Sequence, residues 1–274
     1  MPVLLRVQDL NISYREAGSS QHHAVENVSF EIAKAEVAGL MGESGCGKTS
    51  IALALLGLLS EEQAHVSGSI QFRGEELLSK DRGSLRALRG AGISLVFQEP
   101  ELALSPVMKV RDQVAEVIHA HNDWNWRRCR AAAEVALARV GLADSPRIFS
   151  AYPHQLSGGQ RQRVVLAQAL ACNPALLIAD EPAASLDARS QSEILALLRE
   201  LQREMRIAIL LISHAPEVQA SLADRLMVMA HGRIVEQGPF AQLYRKPSHA
   251  CTRAMLRTAT PASITESADF EMVT

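Results

Sequence analysis

Four short stretches of the chain are almost continuously apolar: Val37–Met41, Ile93–Phe97, Ala175–Ala179 and Ile207–Ile212. Runs of this length suit strands buried on both faces, as in a parallel sheet. Each gives way to polar residues at its end. Between them the spacing turns helical, as in Ser190–Met205, where Ile194, Leu197, Leu198 and Leu201 share one face. That alternation predicts an α/β core. Residues 3–32 and 65–75 differ, with β-type runs broken by polar and glycine positions, and predict an antiparallel sheet near the N-terminus. Residues 107–145 are helical in tone, with an alanine-rich run at Ala131–Val140. Leu226–Ala230 and Ile234–Gln237 read as a hairpin around His231–Gly232–Arg233. From Thr258 onward Lys and Arg are absent, and the tail reads as disordered. No internal repeat is visible.

Composition narrows this picture. The chain has 274 residues, of which 47% are hydrophobic and 21% charged, which excludes a wholly disordered chain and fits one large domain with an insertion. A net charge of −2 and 4% aromatics leave no broad basic or stacking surface for nucleic acid. The longest apolar run, Ile51–Leu59, is far shorter than the roughly 20 residues a membrane span needs. The N-terminal stretch MPVLLRVQDL carries Arg6 and Asp9 and lacks the form of a signal peptide. The four cysteines are scattered without a CxxC pair, so neither a disulfide framework nor a zinc site is implied, and a reducing cytoplasm is expected.

Three motifs carry chemistry. The first, GESGCGKT at 42–49, has the G-x-x-x-x-G-K-[ST] form, with an apolar strand before it and an apolar helix after it. Glycines let successive N–H groups point at phosphate oxygens, and the helix adds its positive end. Gly42, Glu43, Ser44, Gly45, Cys46, Gly47, Lys48, Thr49 and Ser50 are therefore candidate nucleotide contacts. Lys48 would reach the β- and γ-phosphates and Thr49 would offer its hydroxyl to Mg²⁺. The second motif, ALLIADE at 175–181, ends a buried strand in two acids: Asp180 as a Mg²⁺ ligand, partly through water, and Glu181 to orient or deprotonate water. The third is LSGGQ at 156–160. Ser157 and Gln160 have the spacing of a capping box, while Gly158 and Gly159 leave the helix end bare enough for a phosphate to approach.

Together, in this order and at these separations, the three motifs resemble the ATP-binding cassette ATPases over about residues 3–258. The resemblance implies a P-loop NTPase fold of α/β class, with a mostly parallel core sheet, an N-terminal antiparallel β subdomain and an inserted α-helical subdomain at about 99–165. It further implies a nucleotide-binding domain at 3–240, a C-terminal extension at 241–258 and a tail at 259–274. Further roles come from the resemblance alone. Tyr14 matches the aromatic that stacks on adenine. Gln98 matches the glutamine that senses Mg²⁺ and the γ-phosphate. His214 matches the histidine that contacts the γ-phosphate. Asp187 matches the aspartate that faces an opposing subunit, and Ser157–Gln160 would complete the ATP site of that subunit in a head-to-tail dimer. Catalysis would thus rest on Glu181, His214 and Lys48, with ATP and Mg²⁺ as cofactors.

FQEPELALSPVMKV at 97–110, YPHQLSGGQRQRV at 152–164 and PSHACTRAML at 247–256 are similar to the peptide and nickel importers within that family. The implied partners are two transmembrane permeases, a substrate-binding protein acting indirectly, and a second ATPase, identical or related. No nucleic-acid partner is implied. The implied place is the cytoplasmic face of the plasma membrane. The short tail tilts the substrate toward nickel or other metal chelates. Departures from the pattern are Ala35 for a turn glycine, Ala183–Ala184 for a threonine pair, Ala215 for aspartate and Ala250–Cys251 for Pro–Tyr. None removes a group assigned to catalysis. Cys46, inside the phosphate loop, is expected to lose ATP binding on alkylation and to be protected by ATP. His119 with His121, and His249 with Cys251, are poorly spaced for a metal, and Trp124, Trp126, Arg127, Arg128 and Arg130 read as a solvated helix start. The competing reading is a soluble, non-transport cassette ATPase acting on nucleic acid or ribosomes. A small-molecule kinase or GTPase leaves LSGGQ unexplained.

Overall fold

A computed structural model describes residues 2–15, 21–97, 99–142 and 146–257. In chain order the strands and helices are β1 (Val3–Arg15), β2 (Gln21–Ala33), β3 (Val37–Gly42), α1 (Lys48–Leu55), β4 (Ala64–Phe72) and β5 (Glu75–Glu76). There follow α2 (Arg82–Leu88), β6 (Ile93–Val96), α3 (Pro100–Ala103), α4 (Val110–Ala120), α5 (Trp126–Leu137), α6 (Pro146–Ser150) and α7 (Gly158–Leu170). The chain continues through β7 (Leu176–Asp180), α8 (Ala188–Met205), β8 (Ala208–Ile212), α9 (Pro216–Leu222), β9 (Arg225–Ala230), β10 (Arg233–Pro239), α10 (Phe240–Arg245) and α11 (Ala250–Leu256). The elements group into two compact units, Met1–Lys80 with Ala208–Thr274, and Asp81–Ile207.

The first unit holds the antiparallel sheet expected near the N-terminus, in the order β2-β1-β4-β5. Its two long strands are not regular. β1 gains a residue at Asp9 and β2 gains one at Asn27, and both residues take a positive φ of 49°. The two irregularities compensate, so the apolar set Leu5, Val7, Leu10 and Ile12 stays buried on β1. A single uncompensated slip would turn that face to solvent.

The same unit carries β10-β9-β3-β8, with β9, β3 and β8 parallel. Every residue of β3 and β8 is buried, which is why both read as unbroken apolar runs. β9 and β10 form the expected hairpin, joined by two residues rather than three: His231 (φ 48°) and Gly232 (φ 76°). Two positive φ values in a row match the twist of a two-residue hairpin turn. The C-terminal helices are integral to this unit. Leu243 of α10 and Leu256 of α11 join Met41, Leu226, Val228 and Phe240 in one buried cluster.

The second unit pairs β6 and β7 in parallel and adds the helices between 82 and 205. α8 begins two residues earlier than its apolar periodicity suggests, at Ala188, and buries Ile194, Leu197, Leu198 and Leu201 as expected. α4 and α5 occupy the region read as helical. The tail from 258 lies outside the described residues. Among the described residues no helix is long and apolar enough to cross a membrane.

The turn between β2 and β3 places Ala35 at φ 58°, where a side chain clashes with the backbone and glycine does not. Ala35→Gly is expected to raise stability by about 1 kcal/mol, because relief of the left-handed strain exceeds the added freedom of the unfolded chain. For a protein of this size that is a rise of about 2–4 °C in melting temperature. Thermal unfolding checks it; an unchanged or lower midpoint contradicts it.

Candidate functional site

The phosphate loop of the first unit is built where β3 hands over to α1. β3 stops at Gly42, and the chain turns through residues 43–47 before α1 starts at Lys48. Gly47 caps α1 at φ 105°, and among the described residues no side chain makes a capping hydrogen bond to the helix. A Cβ at Gly47 would collide with the Ala24 carbonyl of β2, so both the backbone angle and the space demand glycine. α1 also lacks an acid in its first turn. A helix start with neither a capping side chain among the described residues nor an acid in its first turn presents its positive pole to an anion.

Lys48 is buried and turns back into the loop, donating to Gly42 O at 2.7 Å and Glu43 O at 2.8 Å. Its ammonium is therefore held inside the ring of loop residues. Cys46 is buried as well, its Sγ 3.7 Å from Lys48 Nζ. Glu43, Ser44, Gly45 and Thr49 are exposed, leaving the mouth of the loop open. Tyr14, near the end of β1, donates its hydroxyl to Ser50 Oγ on α1 at 3.0 Å. This bond fixes the Tyr14 ring beside the phosphate loop, a tie that no sequence pattern announces. β8 lies parallel to β3, with Leu40 opposite Ile212, and so delivers Ser213 and the exposed His214 at the same end as the loop. The structure thus brings together Tyr14, residues 42–50 and the strand leading to His214.

The second unit positions the acids. β7 is buried throughout and ends at Asp180, itself only 8% exposed. Glu181 follows at φ 49°, a left-handed conformation that non-glycine residues rarely hold. This sharp break ends the strand and sets the direction of the Glu181 side chain. Gln98 lies outside the described residues.

The predicted capping box is present. Ser157 Oγ accepts from Gln160 N at 3.3 Å, and Gln160 Oε1 accepts from Ser157 N at 3.0 Å. Gly158 and Gly159 form the first turn of α7. A Cβ on Gly158 would press on Leu186 at 3.3 Å, whereas one on Gly159 would meet Ser190 Oγ only at 3.6 Å, an ordinary contact. Asp187 caps α8: its Oδ1 accepts from Ser190 N at 3.0 Å and Arg189 N at 3.1 Å, and its Oδ2 from Ser190 Oγ at 2.8 Å. The bonds from the Ser190 amide and hydroxyl hold the Asp187 carboxyl below the ordinary aspartate range. Ser190 thus links the ends of α7 and α8, placing Asp187 beside Gly159. Separate in sequence, these two candidate contacts for an opposing subunit form one patch.

The residues set aside as metal ligands have local partners. His119 Nδ1 lies 3.0 Å from Trp124 O, and His249 Nδ1 accepts from Cys251 N at 3.2 Å as the cap of α11. Arg128 covers the Trp124 ring at 3.8 Å, and Asn125 caps α5.

An ABC transporter family model matches residues 25–184. A putative peptide import ATP-binding protein of Brucella abortus (strain 2308) is 40% identical over 253 residues, covering 92% of this chain and 76% of that protein. The glutathione import ATP-binding protein GsiA of Salmonella typhimurium (strain LT2) is 41% identical over 259 residues, covering 92% of this chain and 41% of that protein. Among solved structures, a dimeric post-hydrolysis state of the ATP-binding cassette MJ0796, bound to ADP and Pi, superimposes with a TM-score of 0.75 at 26% identity. That match covers 86% of this chain and 99% of the other. The cbiO1 structure from Clostridium perfringens, part of the ABC transporter complex cbiONQ, gives a TM-score of 0.76 at 29% identity, covering 90% and 92%. With most of its length aligned to such relatives and its three motifs in place, the chain belongs to the ABC transporter family as an ATP-hydrolysing cassette.

Proposed function

We propose that this cassette is the energy-coupling subunit of a bacterial importer for peptides or metal chelates, seated peripherally on the cytoplasmic face of the plasma membrane. The observation that carries the reading is the near-full-length likeness to a peptide import ATP-binding protein. The glutathione importer relative favours the peptide arm, since glutathione is itself a short peptide. Two permeases and a second ATPase, identical or related, complete the machine, and a binding protein delivers the cargo. Residues 3–240 form the cassette and 241–258 an extension of the importer type.

In this reading the bare end of α1, the loop amides and Lys48 bind the β- and γ-phosphates, while Tyr14 stacks on adenine. Thr49, Asp180 and Gln98 supply hard oxygen donors of the kind Mg²⁺ prefers. Held by these donors, Mg²⁺ would supply positive charge against the phosphates. Glu181 orients the attacking water and accepts its proton, and His214 contacts the γ-phosphate. Ser157, Gly158, Gly159, Gln160 and Asp187 serve the ATP of the opposing subunit. Positive charge from Lys48 and from the opposing α7 end stabilises the transition state.

Affinity purification of the tagged chain from gently solubilised native membranes tests the assignment. Co-purification of two polytopic permeases supports it, and absence from the membrane fraction with only soluble partners overturns it. A cheaper check on the phosphate loop is Cys46 alkylation, which is expected to block ATP binding and to be suppressed by saturating ATP. Free labelling of Cys46 in saturating ATP contradicts its place in the site.

A further inference from the structure

α9 carries a glutamine that the sequence gives no reason to single out. Gln219 is fully buried. Its amide nitrogen faces three backbone carbonyls: Ser213 O at 3.2 Å, Leu211 O at 3.3 Å and Leu40 O at 3.5 Å. Its amide oxygen has no hydrogen-bond partner among the described residues and packs so closely on Gly39 that a Cβ there would collide with it. A buried unpaired acceptor costs about 1–3 kcal/mol, a cost that an apolar side chain of equal volume would avoid. Stability alone is a poor account of this residue.

Its location suggests another. Leu40 lies two residues before Gly42, where β3 opens into the phosphate loop. Ser213 immediately precedes His214. The segment is fastened at further points: Ser213 N donates to Leu40 O at 3.2 Å, Ala215 N to Ser213 Oγ at 3.2 Å, and Gln219 N to Ala215 O at 3.3 Å. The two hydrogens of one amide therefore serve carbonyls of both strands, at the point where each strand ends in functional residues.

We propose that Gln219 is a positioning residue for ATP hydrolysis, its buried amide fixing the segment 213–215, and with it His214, against the strand that feeds the phosphate loop. The proposal rests on the reading of His214 as the γ-phosphate contact. Misplacing a group that acts only in the transition state lowers kcat more than it raises KM. In the full-length protein, Gln219→Leu is expected to reduce ATPase kcat about 10-fold with KM for ATP within about 2-fold. Hydrogen–deuterium exchange across residues 213–216 is expected to accelerate about 10-fold in the same variant without nucleotide, as local opening becomes easier. In a His214→Ala background, Gln219→Leu is expected to reduce kcat no further. Gln219→Met, of matching length without an amide, replaces the leucine variant should that fail to fold.

The failures are distinguishable. If His214→Ala lowers kcat but Gln219→Leu leaves kcat and exchange at wild-type values, the positioning role is overturned and the His214 reading stands. The positioning role is likewise overturned if the Gln219→Leu loss persists undiminished in the His214→Ala background. If His214→Ala leaves kcat unchanged, the His214 reading fails and this proposal fails with it.

Discussion

Glu181→Gln is expected to lower the rate of ATP hydrolysis by about 10²–10⁴, the range a positioned general base contributes. ATP affinity should hold, because phosphate binding is assigned to Lys48 and the loop amides of a different segment. The substitution keeps the shape of the side chain and removes its charge and basicity. It also keeps the backbone question separate. Glu181 sits at φ 49°, so part of any mutational effect could come from the turn rather than the carboxylate. Glutamine carries the same left-handed penalty as glutamate, whereas Glu181→Gly relieves about 1 kcal/mol of it. Both variants should lose hydrolysis. They should differ in stability, with the glycine variant melting at or above wild type. Single-turnover hydrolysis with pre-bound ATP measures the chemistry, and size-exclusion chromatography in ATP reads the dimer, which should accumulate when hydrolysis stalls. Full turnover by Glu181→Gln would remove the carboxylate from its assigned role.

How much of this was legible in the chain depended on whether the cause was local. The apolar runs that became β3, β7 and β8 could be read because those strands are buried on both faces. The hairpin of β9 and β10 and the capping box at Ser157–Gln160 are decided by neighbours within a few residues. The bulges at Asp9 and Asn27 were not legible. Each is tolerated only because the other restores the register, and that is a property of two paired strands. Asp187 matches by resemblance a residue that faces another subunit, yet its carboxylate also caps α8 and bonds Ser190, which lies against Gly159, 28 positions before Asp187. Gln219 left no trace at all. A glutamine in a short amphipathic helix reads as solvent-facing, and only the packing of α9 under two strand ends shows otherwise.

The proximity of Gly159 to Asp187 gives the sharpest separation of folding from function. Within its own chain Gly159 is free to change: a Cβ meets Ser190 Oγ at an ordinary 3.6 Å, and the residue lies in the first turn of α7 with no positive φ to defend. An aspartate there replaces the poorest ordinary helix former and sets a negative charge at the positive end of the helix. The two gains come to about 0.5–1.5 kcal/mol, less the repulsion from Asp187 nearby. On fold stability alone, Gly159→Asp should be neutral or favourable. If the end of α7 serves ATP held by an opposing subunit, the same change sets a carboxylate against the triphosphate and blocks its approach to the helix amides. Losing one such donor typically costs about 10²–10³ in kcat, and an added like charge makes ATPase loss of at least 10² the expected result. The ATP-bound dimer should fail to form, while Cys46 stays protected by ATP, since the phosphate loop of each chain is untouched. The milder Gly159→Ala separates bulk from charge. A protein that melts no lower than wild type, binds ATP and hydrolyses almost none of it would place the function of this glycine in the partner's site; normal turnover by Gly159→Asp would show that nothing anionic ever approaches that helix end.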